Sequence, residues 1–148
     1  MNNSLSNKLK KRTCIDTVTS CLLCITALAV SIYQLFIFLR GDGSRHLNYA
    51  LYGFIVFIEL GLLSLILLEI RKTGKPFSKK IIIKLRVMAI VIMAGVFIPS
   101  GFAENNSSLV ITFDMKTVLI FFAGVIIGII SEIFSYGHSL QQDNDLIA

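Results

Sequence analysis

The feature that most constrains this chain is a set of four long apolar blocks, at residues 15–39, 48–70, 81–102 and 116–136. A hydrocarbon core of ~30 Å takes about 20 consecutive apolar residues as a helix. Each block is near that length. With no water to satisfy backbone N–H and C=O groups, such a block must be a helix or part of a closed barrel. Barrel strands alternate apolar and polar residues, and these runs do not. Four transmembrane helices are therefore expected. Hydrophobic residues make up 55% of the chain and charged residues only 16%, against about 25% charged in ordinary soluble domains. Mean hydropathy is +0.78.

The first block has a competing reading as a cleavable signal. Lys8, Lys10, Lys11 and Arg12 resemble the basic start of one, and Ala27-Leu28-Ala29 resembles a cleavage site. The apolar run continues to Leu39, well past that site. Val18-Thr19-Ser20-Cys21 resembles a lipoprotein box, but the segment before it holds Asp16 and two threonines. The first block reads as an uncleaved anchor.

Orientation follows Lys and Arg in the short loops. Lys8, Lys10, Lys11 and Arg12 precede the first block. Arg71, Lys72, Lys75, Lys79 and Lys80 join the second block to the third, with Lys84 and Arg86 just beyond. These eleven bases fall on one side, while Arg40, Arg45 and Lys116 fall on the other. Both termini and the middle loop are therefore expected in the cytoplasm, where the basic loop also meets anionic lipid headgroups. The division is 1–14 basic N-terminus, 15–136 transmembrane domain and 137–148 acidic tail. The outer loops are short: Gly41-Asp42-Gly43-Ser44 reads as a turn, and 109–113 as a β-branched patch at the interface.

The middle loop, "RKTGKPFSKK" at 71–80, has its own grammar. Gly74 can end a helix, Pro76 blocks its continuation, and Ser78 can cap the next one. Phe77 is placed to staple onto Ile82. This turn, the "KLR" that follows it and the ending "SEIFSYGHSLQQDND" at 131–145 resemble a family of small four-span bacterial membrane proteins known only as a domain of unknown function. The likeness runs along nearly the whole chain. It departs where family members carry Asn three residues after the Ser/Thr, because Ile81 stands there, and where Asn144 thins the acidic tail. Members are often encoded beside a small helix-turn-helix regulator. The resemblance thus implies a membrane partner for a soluble transcriptional regulator.

Four constellations carry possible chemistry. Glu59 falls near the middle of the second block, where a charge costs about 2.5 kcal/mol or more on insertion scales. It reads either as a proton or cation site, or as a neutral acid bonded to Thr26 or to backbone beside a glycine at the depth of Gly124 and Gly128. Asp16, Glu69, Lys84, Arg86 and Glu132 share one depth at the cytoplasmic rim; they read as structural ion pairs or as a switch layer. Gly124 and Gly128 form a GxxxG, with Ser131 and Ser135 extending the small residues, which permits close helix approach within one chain or between two copies. Gly95 and Ala94 are the expected counterparts. Cys14, Cys21 and Cys24 lie within about 80° of one helix face at ~100° per residue. With His46 and His138 on opposite sides, a soft-metal site is disfavoured against simple packing, and Cys14 at the cytoplasmic edge argues against disulfides.

The tail reads as an exposed, disordered end. No nucleotide loop, nucleophile elbow, zinc motif or dinucleotide fingerprint is present in the sequence. The basic patches lie against the membrane, which argues against direct nucleic-acid binding. The expectation is an all-α integral membrane four-helix bundle of up-down topology in a bacterial cytoplasmic membrane. It is expected not to be an enzyme and to need no cofactor or metal. Its partners are expected to be the lipid bilayer, a small helix-turn-helix regulator and, in a third reading, a second copy forming a homo-oligomer. As a regulator or sensor it would dock that soluble protein through Lys75, Pro76, Phe77, Lys79, Lys80, Asp143 and Asp145. The alternative is a small transporter or immunity-type protein that uses Glu59.

Overall fold

The computed structural model describes residues 2–41, 45–74, 76–98 and 115–147, and the side chains among these outside 2–10, 116 and 144–147. The described residues form four α-helices: α1 (Asn2–Leu39), α2 (Arg45–Thr73), α3 (Lys79–Ala94) and α4 (Met115–Ile147). The described residues contain no strand. Among the described residues three segments are long and apolar enough to cross a membrane: Lys11–Leu39, Arg45–Thr73 and Thr117–Asp143.

The third expected span differs. Helix α3 has 16 residues, which at ~1.5 Å per residue is about 24 Å, short of the ~30 Å of a hydrocarbon core. A 3₁₀ turn, Gly95–Phe97, follows it, and Ile98 is extended at φ −73° and ψ 120°. The residue before a proline is pushed out of the helical region, and Pro99 stands next in the sequence. The apolar composition of 81–102 hid this stop. Its last residues, 99–102, lie outside the described residues, as do the expected turn at 42–44 and the patch at 109–113.

The two ends also differ from expectation. Helix α1 begins at Asn2, so the basic N-terminus continues the first span instead of preceding it. The tail expected to be disordered is helical through Ile147. After Gly137 no further glycine and no proline interrupts α4, so nothing local ends the helix.

Contacts between helices set the directions. Cys24 and Ser31 of α1 reach Phe57 and Ala50 of α2, so the two run antiparallel. Helix α3 returns along α2, with Lys84 against Glu69 and Gly95 beside Ile55. Helix α4 returns along α3, with Gly124 beside Met93 and Gly137 beside Phe77. The end of α2, the start of α3 and the end of α4 therefore meet at one end of the molecule, called here the turn end. Helix α1 packs on α2, and α3 sits between α2 and α4. Ile66, Ile81 and Met88 form the core with Leu62, Leu85 and Ile127, tying α2, α3 and α4 together.

Burial is inverted relative to a water-soluble domain. Thr17, Ser20, Ser31, Ser64 and Ser131 are buried, while Ile25, Tyr33, Leu119 and Ile133 are more than half exposed. Several hydroxyls satisfy themselves within their own helix: Thr17 donates to the Thr13 carbonyl at 2.6 Å and Ser64 to that of Leu60 at 2.8 Å. The seam between α1 and α2 is made of small residues. A Cβ on Gly53 would lie 3.1 Å from that of Ser31, and Gly61 leaves room for the Cys24 sulfur. Small residues bring helix backbones close where lipid tails supply no hydrophobic drive.

Candidate functional site

The turn end is built by the local grammar of 73–81. Gly74 takes φ +65° and its N–H donates to the Ile70 carbonyl at 2.8 Å, closing α2. An L side chain is strained at that φ, which is why glycine stands there. Ser78 is extended and its hydroxyl accepts from the Ile81 N–H at 3.4 Å, opening α3. Phe77 meets Phe134 edge-to-face at 5.1 Å between centroids and lies against Gly137, where a Cβ would come within 2.9 Å of its ring. The expected staple of Phe77 onto Ile82 is thus replaced by an anchor onto α4.

That anchor leaves an open groove of about 550 Å³, lined by Glu69, Thr73, Phe77, Ser78, Lys79, Lys80, His138, Gln141 and Gln142. Of the expected docking residues, Phe77, Lys79 and Lys80 line it. Pro76 is half-buried in the same turn, and Asp143 is exposed near the end of α4. Lys75 and the side chain of Asp145 lie outside the described residues. Sequence reasoning missed His138, Gln141 and Gln142. Their i, i+3, i+4 spacing puts them on one helix face, a signal hidden by treating the tail as disordered. The Nε2 atom of His138 is buried and has no hydrogen-bond partner.

The rim layer resolves into two separate pairs. Lys84 Nζ lies 3.8 Å from Glu69 Oε2 and donates to the Leu65 carbonyl at 3.3 Å, linking α3 to α2. Arg86 donates to Glu132 at 2.9 Å, linking α3 to α4. The second pair is exposed, where such pairs contribute about 0.2–1 kcal/mol. Asp16 is exposed on α1 and belongs to neither pair.

Glu59 lies at mid-length in α2, on the face that carries Ile55, Leu62 and Ile66. Both of its carboxylate oxygens are buried without a hydrogen-bond partner. Thr26, its expected neighbour, is exposed and donates to the Leu23 carbonyl of its own helix. Gly124 is buried against α3. A Cβ there would fall 2.6 Å from Met93 Cγ and 3.2 Å from the Ala89 carbonyl oxygen, whereas at Gly128 the nearest atom, Ala89 Cβ, is 3.9 Å away. The counterparts of the GxxxG are therefore Met93 and Ala89, in place of Gly95 and Ala94. Gly95 faces Ile55 and Ile120.

The cysteines do not act as one group. Cys24 donates to the Phe57 carbonyl at 3.5 Å, Cys14 receives Arg71 Nη1 at 3.7 Å, and Cys21 is exposed. Among the described residues no set of His, Cys, Asp or Glu side chains could hold a metal ion.

An all-helical chain with three helices of membrane-crossing length, a polar groove at one end and an unpartnered carboxyl at mid-depth is the class these features define. No family model matches the chain, and no curated protein or solved structure matches it either.

Proposed function

We propose that the chain is a multi-pass protein of a bacterial cytoplasmic membrane, with both termini in the cytoplasm, that regulates or senses for a soluble partner docked at the turn end. The observation that carries this reading is the groove, where Lys79 and Lys80 are exposed beside the polar face of α4. The membrane part is supported by the inverted burial and the three long apolar helices. The orientation is supported by the eleven bases that the sequence puts before the first apolar block and between the second and just inside the third, against three elsewhere. The transcriptional nature of the partner rests on the family resemblance alone.

The test is co-purification after cross-linking in the native host. A chain with Asp143→Asn and Asp145→Asn, or with Lys79→Glu and Lys80→Glu, inserts normally and loses its soluble partner. A partner retained by both variants counts against docking at this end.

Glu59 favours a second reading, because a mid-membrane carboxyl with no partner on either oxygen is suited to take a proton or a cation. On that reading Glu59→Gln abolishes transport or resistance at an unchanged protein level. An unaffected phenotype removes it.

A further inference from the structure

We infer that the groove at the turn end binds an anionic phosphate group, supplied by the headgroup of an anionic phospholipid. The inference goes beyond the docking reading and rests only on its membrane part.

The lining has the chemistry of a phosphate site. Lys79 and Lys80 at the start of α3 and Gln141 and Gln142 near the end of α4 line the groove, so two ammonium groups and two side-chain amides are available to it. His138 is a further lining residue, but its Nε2 is buried, so the ligand-facing donors are the lysines and the glutamines. Glu69 is the lining acid, and it would repel an anion if left alone. It is engaged by Lys84 at 3.8 Å, so the wall keeps the positive charge of Lys79 and Lys80. The groove also lies at the start of α3, where the helix dipole favours negative charge.

Position argues for a lipid over a free ion. Ile83 is 60% exposed and stands one turn beyond Lys79 on the same face of α3. Apolar surface therefore adjoins the polar groove, which is the arrangement that receives acyl chains below a bound headgroup. Basic pockets between helices on the cytoplasmic side are the general form of headgroup sites.

The test uses the full chain in phosphatidylcholine nanodiscs, with or without phosphatidylglycerol, and reads reductive methylation of each lysine by mass spectrometry. Lys11 and Lys72, exposed outside the lining, are internal controls. Phosphatidylglycerol slows labelling of Lys11 and Lys72 by the general attraction of an anionic surface, and it is expected to slow labelling of Lys79 and Lys80 several-fold beyond that shared effect. Gln142→Ala is expected to weaken that protection and leave the controls unchanged. In pure phosphatidylcholine, inorganic phosphate at millimolar concentration is expected to protect neither lysine. Equal protection by inorganic phosphate would overturn the lipid source and leave a soluble-anion site. Uniform protection of all four lysines, or of none, would overturn the site itself. A chain that does not enter nanodiscs at all would overturn the membrane reading beneath it, a result distinct from the others.

Discussion

At single positions, the contact between α3 and α4 separates two glycines that look equivalent. Gly124 faces backbone as well as Met93, while Gly128 has only ordinary contact with Ala89. Gly124→Ala is expected to destabilise the folded chain by about 1–3 kcal/mol, the usual cost of overpacking, and Gly128→Ala by much less. Unfolding in mixed micelles measures both, and equal effects would contradict the packing described. On the other seam, Ser31 donates to the buried Ala50 carbonyl at 2.7 Å. Ser31→Ala should cost about 0.6 kcal/mol, the average for such bonds between membrane helices, readable by the same unfolding. These close approaches were only partly legible beforehand. The GxxxG spacing marks Gly124 and Gly128, but which partner residue each meets depends on register. The stripe of Thr17, Ser20, Cys24 and Ser31 on α1 is regular, yet the three cysteines drew attention to chemistry instead of to small size. Glu59 was visible as a mid-span acid, whereas its lack of a partner required the geometry of Thr26.

Among the elements, the turn from α2 to α3 was legible because its residues act locally. Gly74 at positive φ and the Ser78 cap follow from residue type alone. Ser78→Ala is expected to cost about 1 kcal/mol, the ordinary loss for an N-cap, seen as a lower unfolding midpoint with unchanged helical content. The end of α3 was less legible, since a composition window averages over Pro99 while backbone sterics respond to it one residue earlier. Pro99→Ala should let the helix continue past Phe97. Amide hydrogen exchange checks this through slower exchange at Phe97 and Ile98; unchanged exchange there would mean that Gly95 alone sets the stop. The end of α4 was not legible, because the polar composition of 137–147 points to an exposed, disordered end. Polar residues with helix propensity and no breaker continue a helix that is already nucleated.

For the whole molecule, the number of helices and their alternation were expected from four apolar blocks and the charge asymmetry. The asymmetric packing was not. Helix α1 leans on α2, while the core is shared by α2, α3 and α4. The central claim is that this assembly lies in a membrane with its turn end in the cytoplasm. It is tested most directly by single cysteines in a chain whose Cys14, Cys21 and Cys24 are replaced by serine, labelled in intact cells with an impermeant maleimide. Gly43→Cys and Asn106→Cys are expected to label from outside, and Lys72→Cys and Gln142→Cys only after the membrane is opened. Labelling of Gln142→Cys in intact cells, or of Gly43→Cys without Asn106→Cys, would contradict the account.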